Sequence, residues 1–202
     1  MGSSEKMKRI SYMDPVLFKA AAEGDIDPFE KYQTCLDQLL TPDENTVLHV
    51  YLGNQSPHLL VSETARKLLE KEKKLTKTTD ENGWSPLHYA ACYDWSPRIV
   101  QVLLENDASA AYIAESEKRR TALHIAAIQG HVNAMKEIVS RCPDCSELVD
   151  NRGWNALHYA VASKDRVAFL QCLKIPELAR LGTKKNDKGN TPFHLIVVLA
   201  HQ

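Results

Sequence analysis

The sequence lacks any long apolar run. Its longest uninterrupted apolar stretch, Leu195 to Ala200, has six residues, whereas a helix that spans a membrane needs about 20. The first residues also lack the apolar core of a secretory signal, and Lys6 stands where a myristoylation motif requires Ser or Thr. We therefore expect a cytoplasmic chain that does not itself cross a membrane.

A strong net charge is absent as well, since 25 basic residues balance 26 acidic ones. This balance argues against a dedicated nucleic-acid-binding protein, which is usually strongly basic. The five cysteines are an odd number, which without a secretory signal favours reduced thiols over a disulfide framework. With 202 residues, 44% of them hydrophobic, the chain is long enough to bury a core of its own.

What the sequence does contain is a repeated tetrapeptide. Its five copies read TVLH, SPLH, TALH, NALH and TPFH, and they end at His49, His88, His124, His158 and His194. Successive histidines are 39, 36, 34 and 36 residues apart. Small residues and then a second apolar run follow the middle three copies. Each unit is therefore predicted to be a short helix, a turn and a longer helix.

The residues of the motif have mechanical roles. Thr or Ser at the first position can cap the inner helix through its hydroxyl, and Pro86 and Pro192 fit the first helical position, where a missing N–H costs nothing. The small pairs 90–91 and 126–127 allow neighbouring helices to approach closely.

Tight turns are predicted upstream of three motif copies. Residues 80–83, 150–153 and 186–189 each begin with Asp or Asn and end with a glycine, which can adopt a positive φ. Glu44 and Arg119 replace this glycine before the other two copies, so we expect those two hairpins to be distorted.

The T-P-L-H-x-A pattern resembles the ankyrin repeat. From Asp14 to His201 the sequence more specifically resembles plant ankyrin proteins of the accelerated-cell-death type, through stretches such as GWSPLHYAACYDWSPRIVQVLL, RRTALHIAAIQGHVNAMKEIV and DKGNTPFHLIVVLAH. The opening DPVLFKAAAEGD resembles the capping first repeat of that family. The resemblance implies an all-α ankyrin-repeat solenoid that acts in plant defence or stress signalling as a non-catalytic protein-binding scaffold without a cofactor.

The predicted organisation follows from these repeats. It consists of a flexible tail (1–13), a degenerate capping repeat (14–42), four ankyrin repeats (43–79, 80–115, 116–149 and 150–185) and an incomplete last repeat (186–202).

Members of this family continue into a PGG-type membrane domain, and the present sequence stops before one. Its last repeat has a first helix, Pro192 to Leu199, and no second. One alternative is therefore a regulatory fragment or decoy of a membrane-anchored relative. With a membrane domain attached, the excess of eight basic over three acidic residues in 151–202 would lie at the cytosolic face of a membrane. The apolar run 196–199 would lack its covering helix, which predicts self-association.

The motif histidines occupy identical positions in successive repeats, which indicates a structural role in which each bonds the backbone of a turn. Neighbouring copies would lie about 10 Å apart, as packed helices do, too far to share one ion. We therefore assign no catalytic residue and no metal ligand.

Cys142-Pro-Asp-Cys145 is a C-x-x-C pair, which elsewhere forms redox centres or half of a zinc site. The chain has no second such pair, and an all-helical array does not provide the βαβ setting of thioredoxin-type chemistry. A structural loop is the favoured interpretation, and a redox- or metal-responsive module through these thiols stays open as an alternative.

The predicted binding surface combines the hairpin tips with the exposed side of the inner helices. Trp and Arg are enriched among residues that dominate binding energies. The primary candidates are Trp84, Tyr93, Lys118, Arg120, Gln129, Arg152 and Trp154. The same positional logic adds Glu81, Asn82, Cys92, Ile128, Asn151, Ala162 and Ser163. The partner implied is a protein with an acidic patch flanked by apolar anchors, and neither a nucleic acid nor a small-molecule substrate.

Overall fold

The computed structural model describes residues 11–30, 35–54, 61–93, 97–163 and 165–200. Within these ranges the α-helices are α1 (Pro15–Glu23), α2 (Asp27–Glu30), α3 (Val47–Gly53), α4 (Val61–Lys71), α5 (Pro86–Tyr93), α6 (Pro97–Asn106), α7 (Ala122–Gln129), α8 (Val132–Arg141), α9 (Ala156–Ala162), α10 (Arg166–Cys172), α11 (Pro176–Ala179) and α12 (Pro192–Ala200). Short 3-10 helices span Leu36–Gln38, Lys73–Lys77, Ala108–Tyr112, Pro143–Glu147 and Arg180–Thr183. Two strands, β1 (Ser11–Tyr12) and β2 (Leu39–Leu40), pair in parallel.

The main helices form two rows. Helices α1, α3, α5, α7, α9 and α12 pack side by side as an inner row, and α4, α6, α8 and α10 pack as an outer row. Apart from the two-residue strand pair, the predicted all-α array of helix–turn–helix repeats is confirmed. The boundaries drawn between repeats stay predictions.

Small residues set the close spacing of the inner row. Ala126 and Ala127 in α7 are fully buried, and α7 packs against both α5 and α9. The helix ends at Gly130, whose φ of 76° places it in the left-handed region and whose N–H bonds to the carbonyls at the end of the helix. Leu123, from the same motif, fills the space between the rows and is 1% exposed.

The last residues of the predicted N-terminal tail pair with a later segment of the chain. The Met13 N–H donates to the Leu40 carbonyl at 2.8 Å, which extends the β1–β2 pairing, and Met13 is buried. Within the predicted tail, residues 11–12 therefore pair with β2 and Met13 is buried, and the flexibility of the tail stays a prediction. Residues 1–10 lie outside the described residues.

Helix α12 spans Pro192–Ala200, as the sequence predicts to within one residue. It packs against α9 but leaves Ile196, Val197 and Val198 exposed by 38%, 59% and 53%. The side chain of Leu199 lies outside the described residues.

Candidate functional site

Buried histidines tie four of the inner helices, α3, α5, α7 and α9, to the hairpin of the next repeat. The Nε2–H groups of His49, His88, His124 and His158 donate to the carbonyls of Trp84, Arg120, Trp154 and Asn190 at 3.0–3.1 Å. Because a carbonyl only accepts, these rings carry their proton on Nε2. Burial lowers the pKa of His49, His88 and His124 to about 4, so these three rings are neutral.

The other ring nitrogen caps its own helix. In α7, Nδ1 of His124 accepts the N–H of Thr121 at 3.0 Å and lies 2.9 Å from the Thr121 hydroxyl. The Thr121 hydroxyl therefore bonds the histidine ring. His124 occupies the position that Glu or Gln holds in the usual capping box. His194 makes the same Nδ1 contact with Thr191 at 3.1 Å, but its side chain is exposed.

Two of the hairpin tips are built around a buried aspartate. In the tip that begins at Asp80, one carboxylate oxygen accepts the N–H groups of Asn82 and Trp84 at 2.9 and 2.8 Å. Asp150 holds its tip in the same way, with the N–H groups of Arg152 and Trp154.

The two hairpins that lack glycine keep their turns, and the expected distortion is limited to an extra residue in the Arg119 tip. Glu44 and Arg119 both adopt φ of 61°, in the left-handed region that glycine takes elsewhere. The Arg119 tip is one residue longer, since the Glu115 N–H donates to the Arg120 carbonyl, whereas the Asp80 N–H donates to the Trp84 carbonyl.

A longer acid spans this longer tip. The Glu115 carboxylate accepts the N–H groups of Glu117 and Lys118 at 2.9 and 2.8 Å and the Nε–H of Arg120 at 3.1 Å. Burial raises the pKa of Glu115, but these donors outweigh burial and hold that pKa below its usual value. Glu115 is therefore a buried carboxylate that fixes the tip and the Arg120 side chain together.

Successive tips are joined by backbone hydrogen bonds. The Ser116 N–H donates to the Asn82 carbonyl, the Asn151 N–H to the Lys118 carbonyl and the Asp187 N–H to the Arg152 carbonyl, at 2.9–3.1 Å. The tips therefore form one continuous edge beside the inner helices.

Both candidate tryptophans are half-buried. The Trp84 ring meets Tyr89 edge-on at 5.6 Å, and the Tyr89 hydroxyl donates to Asp80 at 2.9 Å. The Trp154 ring lies 5.2 Å from Tyr159. Sequence reasoning missed Tyr89 and Tyr159, although each directly follows a motif histidine.

Three of the primary candidates converge on one pocket, together with three of the additional ones. Lys118, Arg120 and Arg152 line a cavity of about 280 Å³ between α7 and α9. Ile128, Tyr159, Ala162 and Ser163 complete its wall. Among the described residues that line this cationic pocket, none is acidic.

Three contacts orient Arg152 in the cationic pocket, and the first is the ion pair of its Nε–H with the Asp150 carboxylate at 3.4 Å. Its guanidinium carbon lies 4.6 Å from the centre of the Trp154 ring, and its Nη2 donates to the Tyr159 hydroxyl at 3.0 Å. The Tyr159 hydroxyl in turn donates to Asp150 at 2.7 Å, which lies buried beneath the surface. The arginine is thus held in place while its side chain stays 54% exposed.

The other primary candidates lie outside the cationic pocket. Tyr93 is 38% exposed at the end of α5, with its ring 6.4 Å from Tyr89. Gln129 is exposed at the end of α7, and its Nε2 lies 3.7 Å from the Cys92 sulfur.

A second pocket of about 610 Å³ lies at the N-terminal end of the inner row, between α1 and α3. Its apolar wall includes Met13, Phe18 and Val50, and Tyr89 borders it. No sequence motif indicates this apolar pocket, because Met13 reaches it through the β1–β2 pairing.

Of the C-x-x-C pair, Cys145 lies in the 3-10 helix Pro143–Glu147, and Cys142 connects that helix to α8. Equivalent 3-10 helices, Lys73–Lys77 and Ala108–Tyr112, follow α4 and α6. Burial raises the pKa of Cys142 and raises that of Cys145 to about 12. Burial therefore favours the protonated thiols over the thiolates that redox chemistry requires.

Three side chains of the types that bind metal ions lie close together near the N-terminal end of the array. Within the described ranges, Cys35, Asp37 and Glu72 have potential ligand atoms that lie within 4.8 Å of one another. The Glu72 carboxylate already caps the Lys74 N–H at 3.2 Å.

Stacked helix pairs joined by tips define a helical repeat solenoid. The solved structure of EF0377, an ankyrin repeat protein, superposes with a TM-score of 0.72 at 18% identity, over 90% of this chain and 94% of that one. The family model for ankyrin repeats (3 copies) matches residues 17–114 and 109–176. The chain belongs to the ankyrin-repeat family.

Curated relatives share part of their length with this chain. Target of rapamycin complex 2 subunit AVO2 of Saccharomyces cerevisiae is 28% identical over 127 residues, covering 60% of this chain and 28% of that protein. Ankyrin repeat domain-containing protein SAT10 of Stachybotrys chartarum is 25% identical over 219 residues, 96% and 11% respectively. NAD-dependent deacetylase sir2B of Dictyostelium discoideum is 33% identical over 144 residues, 67% and 18%. The chain thus spans less than a third of each relative.

None of the helices in the described part of the chain is long and apolar enough to cross a membrane.

Proposed function

We propose that this protein is a recognition module whose inner face and hairpin tips bind a partner protein. The observation that carries the proposal is the cationic pocket, in which Lys118, Arg120 and Arg152 meet on one open surface. Arginine held beside aromatic rings is a common anchor of protein interfaces. The partner carries an acidic patch, and the chemistry of the module is binding rather than catalysis.

We place this recognition in the cytosol, in plant defence or stress signalling. The support is the resemblance of the motif-bearing stretches to the accelerated-cell-death type of ankyrin protein. In a longer relative with a membrane domain, the basic segment 151–202 would lie against the cytosolic side of that membrane.

Charge reversal on the inner face tests the proposal. The chain serves as bait in extract of the source tissue, next to a Lys118→Glu/Arg152→Glu variant and a matched Lys67→Glu/Lys136→Glu control on the exposed side of the outer row. Reversal at the cationic pocket abolishes capture of a protein that the parent and the control both retain. Equal capture by both variants would place binding elsewhere and refute the proposal.

We also propose that the protein associates with a second copy of itself through α12. Four apolar side chains of this helix are exposed: Phe193, Ile196, Val197 and Val198. Covering such a surface removes apolar area from water, which favours association.

A further inference from the structure

We infer that the inner face binds one extended segment of the partner, with an anionic side chain in the cationic pocket and an apolar side chain, about eight residues away, in the apolar pocket beside Phe18. This inference rests on the proposed recognition function and specifies the chemistry and spacing of what is recognised.

The size and rigidity of the cationic pocket fit a single anionic side chain. Its volume of about 280 Å³ lies at the lower limit of small-molecule sites, which are roughly 300–1,000 Å³. The contact with Glu115 fixes Arg120, and the contacts with Trp154 and Tyr159 fix Arg152. Guanidinium groups held in place bind carboxylate or phosphate oxygens through paired, charge-assisted hydrogen bonds.

The buried carboxylates offset part of this positive charge, since Glu115 pairs with Arg120 at 3.1 Å and Asp150 pairs with Arg152 at 3.4 Å. Glu115 is 2% exposed and Asp150 is 4% exposed. Both are engaged by backbone N–H groups of their own tips. The exposed side of the pocket therefore presents the cations, and the acids lie beneath them.

The apolar pocket differs in both size and charge. Met13, Pro15, Phe18, Ala22 and Val50 supply its apolar wall, and Phe18 is 47% exposed. Asp43 also borders it, which disfavours an anion there. The two pockets therefore distinguish the two ends of a bound segment.

The helix spacing sets the length of that segment. The apolar pocket lies between α1 and α3 and the cationic pocket between α7 and α9, so three inner-helix spacings separate them. At about 9 Å for each spacing the separation is about 27 Å. An extended chain covers about 3.3 Å per residue, which corresponds to about eight residues. Tyr89 borders the apolar pocket, and the Tyr93 ring, 6.4 Å from that of Tyr89, provides further aromatic surface on α5.

Synthetic peptides test this geometry. The first probe is a Ser/Gly peptide with one leucine and one glutamate about eight residues apart, prepared in both chain directions. A second carries phosphoserine in place of glutamate, a third carries glutamine there, and a fourth shortens the spacing to about three residues. Amide chemical shifts of the ¹⁵N-labelled protein report both the affinity and the place of binding.

We expect the glutamate or the phosphoserine peptide to bind in one chain direction about tenfold more tightly than the glutamine peptide. The amide signals of Lys118 and Arg152 should shift with the anion, and those of α1 with the leucine. The tighter of the two anionic probes identifies the source of the negative charge. The short-spaced peptide should bind more weakly than its long-spaced counterpart.

Matched variants separate the two pockets. Lys118→Gln/Arg152→Gln should remove the preference for the anion, and Phe18→Ala should remove the preference for the long spacing. Lys67→Gln/Lys136→Gln, on the outer row, should change neither. Arg120 is left intact because it bonds to Glu115 within the tip.

Equal binding of the glutamate, phosphoserine and glutamine peptides, or no binding at millimolar concentration, would overturn this inference. If the peptides failed in this way but charge reversal still abolished partner capture, the recognition function would stand. Only the inference that one extended segment occupies both pockets would then fail. If capture were insensitive to charge reversal, the recognition function itself would fail.

Discussion

His124 shows how one residue serves two repeats at once. Its Nδ1 accepts the Thr121 N–H, and its Nε2–H donates to the Trp154 carbonyl. Replacing His124 with Ala leaves both buried backbone groups without these partners, at about 1–3 kcal/mol each. We expect a loss of about 3 kcal/mol in the free energy of unfolding, measured by urea denaturation. His194→Ala is the control, since that side chain is exposed and a much smaller loss is expected; equal losses would contradict this role.

The same buried rings predict a pH dependence. His49, His88 and His124 have a pKa of about 4 when folded, against an ordinary value of 6.5. Between these values the unfolded chain binds more protons, so stability is greatest above pH 6.5 and falls as the pH falls towards 4. Each ring contributes a slope of about 1.4 kcal/mol per pH unit. Urea denaturation at pH 7, 6 and 5 measures this slope, and His124→Ala should reduce it; a flat profile would contradict the prediction.

In the hairpin tips, two glycines with similar backbone angles test how much the stacking of successive tips contributes to the free energy of unfolding. Gly153 and Gly189 have φ of 71° and 79°. A Cβ at Gly153 would lie 2.8 Å from the backbone nitrogen of Asp187 in the next tip, whereas a Cβ at Gly189 meets no described atom within 4 Å. Gly189→Ala should cost about 1 kcal/mol of unfolding free energy, from the left-handed conformation alone.

Gly153→Ala should cost about 2–4 kcal/mol, because it adds the clash and strains the Asp187-to-Arg152 bond between tips. Thermal and urea unfolding of the two variants would provide the comparison. Equal costs would mean that tip stacking contributes little to stability.

The tips also show which parts of the structure can be predicted from the sequence. The glycine turns and the convergence of Lys118, Arg120 and Arg152 follow from repeat periodicity, because equivalent positions stack. The intact turn at Arg119 could not be predicted, since it depends on Glu115, whose side chain is longer than that of Asp at the equivalent positions 80 and 150 and reaches the Lys118 N–H.

The half-burial of Trp154 was likewise not evident, because Tyr159 and Arg152 determine how the ring packs. A hairpin-tip tryptophan looks the same in the sequence whether its ring is packed or exposed. The sequence pattern therefore predicts that such a residue lies at a hairpin tip. It does not predict what fraction of the side chain is exposed to a partner.

For the whole molecule, the two rows of helices were predictable from periodicity, whereas the ends of the array were not. The interior repeats are bounded on both sides by copies of themselves, so their cores are alike. At the N-terminal end, Met13 is buried through a strand pair of only two residues, which is too short to leave a sequence pattern.

At the C-terminal end, α12 predicts self-association. Val197 and Val198 are 59% and 53% exposed, and covering such apolar side chains favours dimer formation by about 25 cal/mol per Å². We expect sedimentation velocity to show a concentration-dependent dimer that Val197→Lys/Val198→Lys converts to monomer. Val16→Lys on α1, where Val16 is 74% exposed, is the matched control at the other end and should leave the dimer unchanged. If the α12 variant still dimerised, the contact would lie elsewhere, and loss of the dimer in the Val16 variant would move it to the N-terminal end of the array.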